Sequence, residues 1–429
     1  METQFTASLW GDEAWAATLA VKPLWQIIKI VSHDTSPPLY YLFLHLWMKI
    51  FGTSELAIRS LSFLFFLLTV IVVYHLASFL WNKKTAFLAS LLVFANPFLF
   101  NYAFEGRMYA LLALTSTASI YFFLRNFRWP FILTTTAALY THHFSLLVVF
   151  WEIIWRFFQK KPFSLKKFLA VYSDFFLIAL FYLPWLYPLY YQTSLVASGF
   201  WLGKPTLNTL LETIKKFLVG SQENNFQKTA LFSFLLVFLL RDWKKNFSLA
   251  LFFLGWFFTP LLVTFILSQF FQSIFFDRYM LMAIPASSLI LSSQTKKISS
   301  LFLVLGITCL LVNNYYYFFH PQKRPFRQLA EYIKTEAPQL TLVNHNAAAH
   351  HLWESKYYGL KAPIFAPQPL PFYTGTALMT SQDIIQSLPE DKEIGVISSA
   401  PLEEIKIPGY HQIKVKQFGD LKFVWFQKD

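Results

Sequence analysis

Between residues 54 and 319 the sequence is a succession of apolar runs separated by short polar loops, with lengths suited to crossing about 30 Å of hydrocarbon. Backbone in lipid must satisfy its own hydrogen bonds, so such runs can only be helices or strands of a closed barrel. A barrel would read as short segments of alternating polarity, and none are present. The expected fold class is therefore an all-α polytopic transmembrane helix bundle. Composition agrees: 55% of the 429 residues are hydrophobic and only 14% charged, against about 25% charged in an average soluble domain.

Ten spans are expected, over residues 55–81, 85–103, 108–124, 129–141, 144–158, 168–187, 229–240, 247–271, 279–293 and 298–319. Alternate loops carry Lys83 and Lys84; Arg125 and Arg128; Lys160, Lys161, Lys166 and Lys167; Arg241, Lys244 and Lys245; and Lys296 and Lys297. The positive-inside rule makes these loops cytoplasmic. The turns at 105–107, 142–143, 192–228 and 277–278, and the region after His320, then lie outside, in the plasma (inner) membrane of the cell. The formal charge of +13 is dispersed among these loops, which argues against nucleic acid as a partner. Cys309, the single cysteine, lies in an apolar run and excludes both a disulfide framework and a cysteine metal site.

The run 37–51 is too short to span and reads as an interfacial helix anchored by Tyr40 and Trp47. With the C-terminus outside, ten spans leave Met1 outside as well, yet residues 1–13 show no signal peptide. The expectation is an additional span upstream of Met1, the first of the bundle; reading the frame upstream should reveal an apolar segment of about 20 residues. Three domains follow: an extracytoplasmic loop with interfacial helices over 1–53, a transmembrane domain over 54–319, and a small extracytoplasmic α/β domain over 320–429. In the last, 326–335 is helical, 340–344 and 394–398 are strand-like, and 412–418 and 421–427 flank Gly419 and Asp420 as a terminal hairpin. No internal repeat is evident, which weighs against a two-halved transporter.

Chemistry is concentrated in the outer turns. Asp12 and Glu13 are adjacent acids in a polar segment that returns to the membrane, where a carboxylate can serve as general base; acids at a helix start also simply cap it. Asp34 admits the same two readings. Arg59, Arg107 and Arg278 stand at the outer ends of apolar runs, where a guanidinium binds phosphate oxygens in pairs or extends to lipid headgroups. Glu105 is placed to orient Arg107. His142 and His143 share a short outer turn and could hold a divalent metal or only make interfacial hydrogen bonds. No other cofactor is indicated. His345, His350 and His351 have no acids at ligand spacing and are expected at the surface, and "YLPWLYP" over 182–188 is expected to kink and anchor its helix.

Six stretches in order carry a resemblance to a family: "SLWGDEAW" from Ser8, "HDTSPPLYYLFLHLWMKIFG" from His33, "ELAIRSLS" from Glu55, "NYAFEGRMYALLAL" from Asn101, "LYTHHFSL" from Leu139 and "FDRYMLMAIPA" from Phe276. Together they resemble the GT-C membrane glycosyltransferases, which include the dolichyl-phosphate-mannose protein mannosyltransferases and the lipid A aminoarabinose transferases. The resemblance implies an inverting transfer of one sugar from a polyprenyl-phosphate donor to a lipid, glycan or protein acceptor on the outer face. It assigns the general base to Asp12 and a donor-phosphate contact to Arg59; the placement of Arg107 and Arg278 at the outer rim adds them as further phosphate ligands, with His33, Glu105, His142, His143 and Tyr279 in support. The family commonly has a His where this chain has Ser36, and His33 is a candidate substitute. Two other readings remain: a lipid or glycan transporter, or a glycan polymerase or ligase with a diphosphate-linked donor.

Overall fold

The computed structural model describes residues 2–161, 164–244, 246–293, 297–345 and 350–429. Lys245, Lys296 and Met1 lie outside the described residues. The chain forms two compact units, one of residues 36–40 and 59–318, the other of residues 1–35, 41–58 and 319–429.

The first unit is helical, and its helices begin and end close to the expected positions. The count of ten spans is nevertheless corrected. Among the described residues three helices, Glu55–Leu80, Phe247–Phe270 and Lys297–Phe319, are long and apolar enough to cross a membrane, or up to five if two bent pairs each count as one span. The remainder are too short: Arg128–Thr141 has 14 residues and Tyr109–Arg125 has 17, a rise of roughly 21–26 Å at 1.5 Å per residue. Apolar content alone does not separate a buried core helix from a spanning one, and that is where the sequence reading overcounted.

Local chemistry explains the breaks. The run 85–103 becomes Lys83–Ala95 and Pro97–Ala103, bent by 64°. Asn96 caps the second helix through Leu99 N–H at 2.9 Å, and Pro97, which has no N–H to donate, stands at its first position. Asn126 ends Tyr109–Arg125 with a left-handed φ of 54°, a conformation asparagine tolerates. The expected span 279–293 opens instead as a 3₁₀ segment, Asp277–Ala283, before the helix Ile284–Ser292. On the long helices, large side chains such as Ile71, Ile266, Phe270 and Leu301 are exposed, as suits an integral membrane protein whose outer surface meets lipid.

The second unit contains a six-stranded mixed sheet in the order β3-β2-β1-β4-β6-β5, with β1 Thr341–Asn344, β2 Ile364–Phe365, β3 Ile384–Ile385, β4 Glu393–Ser398, β5 Tyr410–Phe418 and β6 Leu421–Lys428. β1 to β4 pair in parallel, and β6 runs antiparallel to β4 and β5. The expected terminal hairpin is β5–β6, turning at Gly419 with φ 62°. Helix Phe326–Glu336 buries Phe326, Leu329 and Ile333 with Ile397, Phe423 and Trp425 of the sheet. Ile394, Val396, Val424 and Phe426 pack with Ile405 and Ile407 in a separate cluster, as the two-residue side-chain period of a strand requires.

The short apolar run expected to lie at the interface forms helix Leu39–Phe51. Helix Gly11–Ala20 packs against helix His350–Tyr357 so closely that a Cβ on Gly11 would stand 2.9 Å from the His350 backbone. The surface assignment of the histidines is corrected for His351, which is fully buried and joins Glu354 at 2.7 Å and Ser399 at 3.0 Å. His351 and Glu354 are one helical turn apart, a spacing already visible in the sequence. The Glu13 carboxylate is also fully buried and pairs with Lys323 Nζ at 2.7 Å. Lys323→Met removes that ammonium from a buried acid and should destabilise the unit by about 3 kcal/mol, read as a lower thermal midpoint in detergent; an unchanged midpoint would show that the pair contributes nothing.

Candidate active site

In the helical unit the outer-turn residues converge through aromatic rings. Arg278 opens the 3₁₀ segment Asp277–Ala283, where its guanidinium lies 4.7 Å from the Phe276 ring centre and 5.5 and 5.8 Å from those of Tyr109 and Tyr279. A weakly hydrated guanidinium is favoured over such ring faces. Tyr279 continues the cluster to His142 at 5.0 Å between ring centres and to Phe144 at 5.5 Å. Asp277, beside Arg278 in the chain, pairs with Lys216 at 2.9 Å. Its other carboxylate oxygen accepts from the Arg278 backbone N–H at 2.8 Å, which holds the start of the segment.

Arg107 stands in the loop before helix Tyr109–Arg125, and its backbone N–H donates to the Glu105 carbonyl at 2.7 Å. The Arg107 carbonyl accepts from Ser62 Oγ at 3.4 Å, and Ser62 also meets Tyr40 Oη at 3.1 Å. Ser62 lies one turn beyond Arg59 on helix Glu55–Leu80, so the face bearing Arg59 is the one turned to the Arg107 loop. Arg59 is fully buried, and an arginine so placed requires compensating charge or hydrogen bonds. The snorkelling alternative does not describe a side chain with no exposure.

The two histidines have separate environments. His143 is bonded at both ring nitrogens, Nδ1 to Tyr182 Oη at 3.3 Å and Nε2 to Gln192 Oε1 at 2.7 Å. Gln192 in turn donates to the Ser36 carbonyl at 3.4 Å, so the position where the family commonly has a His is tied to His143 through one amide side chain. His142 Nδ1 accepts from the Phe144 N–H at 3.2 Å. Burial pushes the His142 imidazole down to about 3, assisted by His143, Arg107 and Arg278. Burial likewise lowers His143 to about 4, against the opposing hydrogen bond from Gln192. Both rings are neutral at pH 7. Both ring nitrogens of His143 are engaged, and no group of three or more metal-binding side chains occurs among the described residues.

In the other unit Asp12 and Glu13 occupy the first turn of helix Gly11–Ala20. Glu13 takes the capping role, accepting from the Trp10 N–H at 3.4 Å as well as from Lys323. Asp12 is half-buried. Asp34 follows helix Leu24–Ser32, its N–H donating to the Val31 carbonyl at 3.0 Å; helix Leu39–Phe51 starts too far along for Asp34 to cap it. His33 is exposed and bonded locally, to the Lys29 carbonyl at 2.9 Å. Glu55 was not foreseen as a centre: its carboxylate takes Arg327 at 2.7 Å and Tyr358 Oη at 3.0 Å. Lys216, Gln192, Tyr182 and Tyr109 were likewise absent from the expected site, because their partners are distant in sequence and no local motif marks them.

Residues 35–187 match the family described as dolichyl-phosphate-mannose-protein mannosyltransferase. ArnT from Cupriavidus metallidurans in the apo state superposes with a TM-score of 0.55 at 12% identity, over 98% of this chain and 94% of that one. The chain shares the fold of that protein. The Archaeoglobus fulgidus oligosaccharyltransferase gives a TM-score of 0.51 as its complex with Zn and sulfate, at 12% identity over 92% of this chain and 65% of that one. Its apo form gives 0.50 at 12% identity, over 90% and 61%. No curated protein sequence matches significantly.

The lowered histidines set a pH dependence with a definite sign. A folded state that holds His142 near 3 and His143 near 4 binds fewer protons than the unfolded chain, whose histidines titrate near 6.5. Their contribution is complete above about pH 6.5 and is lost progressively as pH falls towards 4. Thermal midpoints in detergent should therefore decline between pH 7 and 4, and the decline should be shallower in His143→Gln; equal slopes for parent and variant would refute the assignment.

Proposed function

We propose that the chain transfers a sugar from a polyprenyl-phosphate donor to an acceptor hydroxyl or amine of a cell-envelope lipid, glycan or protein. The observation that carries this reading is the placement of cations in an apolar bundle of GT-C fold: Arg59 fully buried, its helix face on the Arg107 loop, and Arg278 seated among Phe276, Tyr109 and Tyr279. Leaving phosphate gains negative charge as the sugar departs, and fixed cations stabilise it most where water is excluded. The match of residues 35–187 to a family named for a dolichyl-phosphate donor supports the same donor class.

The reaction is a single displacement with inversion. The acceptor oxygen or nitrogen attacks the anomeric carbon, the bond from that carbon to the phosphate oxygen breaks, and the polyprenyl phosphate leaves with the electron pair. Asp12 takes the acceptor proton. Arg59 binds the departing phosphate, with Arg107 and Arg278 supplementing its charge. Glu13, held by Lys323, keeps the turn bearing Asp12 in place, and Tyr279 and neutral His142 buttress Arg278. Asp34 is the reserve carboxylate. The active face and the domain 320–429 lie outside the cytoplasm, the latter selecting the acceptor. In intact cells, a cysteine at exposed Glu403 should accordingly react with an impermeant reagent.

Purified protein incubated with a panel of labelled polyprenyl-phosphate sugars and membrane extract tests the reading directly. Asp12→Asn should lower transfer by about 100-fold or more while the donor still binds. Arg59→Lys keeps a charge but loses the planar fork, so both donor affinity and turnover should fall. Transfer at the parental rate by Asp12→Asn would eliminate Asp12 as the base. A transporter would tolerate that substitution and yield no glycosylated product with any donor.

A further inference from the structure

At the ends of the helices away from His142 and His143 lies a second polar site. Asp174 on helix Ser173–Tyr182 holds two guanidiniums, Arg128 Nε at one carboxylate oxygen and Arg156 Nη1 at the other, both at 2.9 Å. Arg156 is also packed against the rings of Phe123, Phe131 and Phe175, with centroids 4.8, 5.4 and 4.8 Å away. Its hydrogen bonds among the described residues, to Asp174 and the Val171 carbonyl, both come from Nη1, leaving Nε and Nη2 for another acceptor. Arg128, Arg156, Asp174, Phe123, Phe131 and Lys160 line a cavity of about 190 Å³. Lys160 is exposed and pairs with no acid among the described residues. Two arginines and one lysine against one aspartate leave a local excess of positive charge.

Beside this pocket, on the same two stretches of chain, is an apolar groove of about 500 Å³ lined by Ile153, Phe157, Phe168, Tyr172, Phe175 and Phe176. Phe175 links the two, lining the groove while its ring covers Arg156 of the cavity. A cationic cavity of headgroup size that adjoins an apolar channel has the two parts of an amphiphile. We propose that this site binds an anionic glycerophospholipid, its phosphodiester at Arg128, Arg156 and Lys160 and an acyl chain along the groove. Helix Arg128–Thr141 separates Arg128 from the His142 turn by about 21 Å, so the occupant is a bilayer lipid rather than the sugar donor. The choice of a bilayer lipid over the sugar donor rests on the proposed donor site at the His142 end, whereas the anion site itself does not.

Native mass spectrometry of the delipidated full chain, after addition of phosphatidylglycerol or phosphatidylcholine, tests the site. The parent should retain phosphatidylglycerol about tenfold over phosphatidylcholine, and the Arg128→Ala, Lys160→Ala double variant should lose that preference. Its thermal midpoint without lipid should stay near the parent's; if the double variant does not fold, Lys160→Ala alone, at an exposed position, should show a smaller loss of preference. Equal retention of the two lipids by the parent, or undiminished preference in the variants, would overturn the proposal. Stronger retention of a polyprenyl phosphate than of phosphatidylglycerol would overturn the choice of occupant, and retention of inorganic phosphate equal to that of phosphatidylglycerol would overturn the role of the groove.

Discussion

Charge is tolerated inside an apolar bundle only where a partner or an aromatic face covers it, and that constraint orders the helical unit. Desolvating an ion costs several kcal/mol unless hydrogen bonds and counter-charge replace water. The bundle meets this cost in different ways at its two ends. Around the 3₁₀ segment, Asp277 takes Lys216, and Arg278 is covered by Phe276, Tyr109 and Tyr279. At the opposite helix ends, Asp174 holds Arg128 and Arg156 together, with Phe123 and Phe175 over the latter. The abundance of aromatic residues, 20% of the chain, thus has a role beyond bulk hydrophobicity: rings supply negative faces where few carboxylates are available.

The same constraint operates on acids in the other unit. Glu55 gathers Arg327 and Tyr358 on one oxygen, while Arg327 also donates to the Thr6 carbonyl at 2.6 Å and Tyr358 Oη accepts from the Leu9 N–H at 2.9 Å. Three segments far apart in sequence are fixed by one carboxylate. Glu13 and Lys323 repeat the arrangement between the N-terminal helix and the chain leading into helix Phe326–Glu336. Glu13 anchors the turn that carries Asp12. Of the two adjacent acids, one is committed to a buried ion pair and the other is half-buried.

Similarity to ArnT persists over nearly the whole chain at 12% identity. At that level most side chains differ, and what the two chains share is the fold. The Ser36 carbonyl accepts from Gln192, which reaches His143, so one amide side chain ties that loop to the histidine turn.

Much of the architecture was legible in the sequence. Apolar runs and their Asn, Pro and charged boundaries determined where helices begin and end, because capping and helix breaking are local. Two-residue alternation around Gly419 determined the terminal hairpin for the same reason. Tertiary structure decided which apolar helices are long enough to span and which are short core helices, since a buried face reads alike against lipid or protein. It also decided that His143 is saturated by Tyr182 and Gln192, that Glu13 belongs to Lys323, and that His351 lies buried against Glu354. Composition marks a residue as ionisable, but its partners lie up to 349 positions away, as Leu9 does from Tyr358. Only the folded chain brings them within the few ångströms over which a hydrogen bond acts.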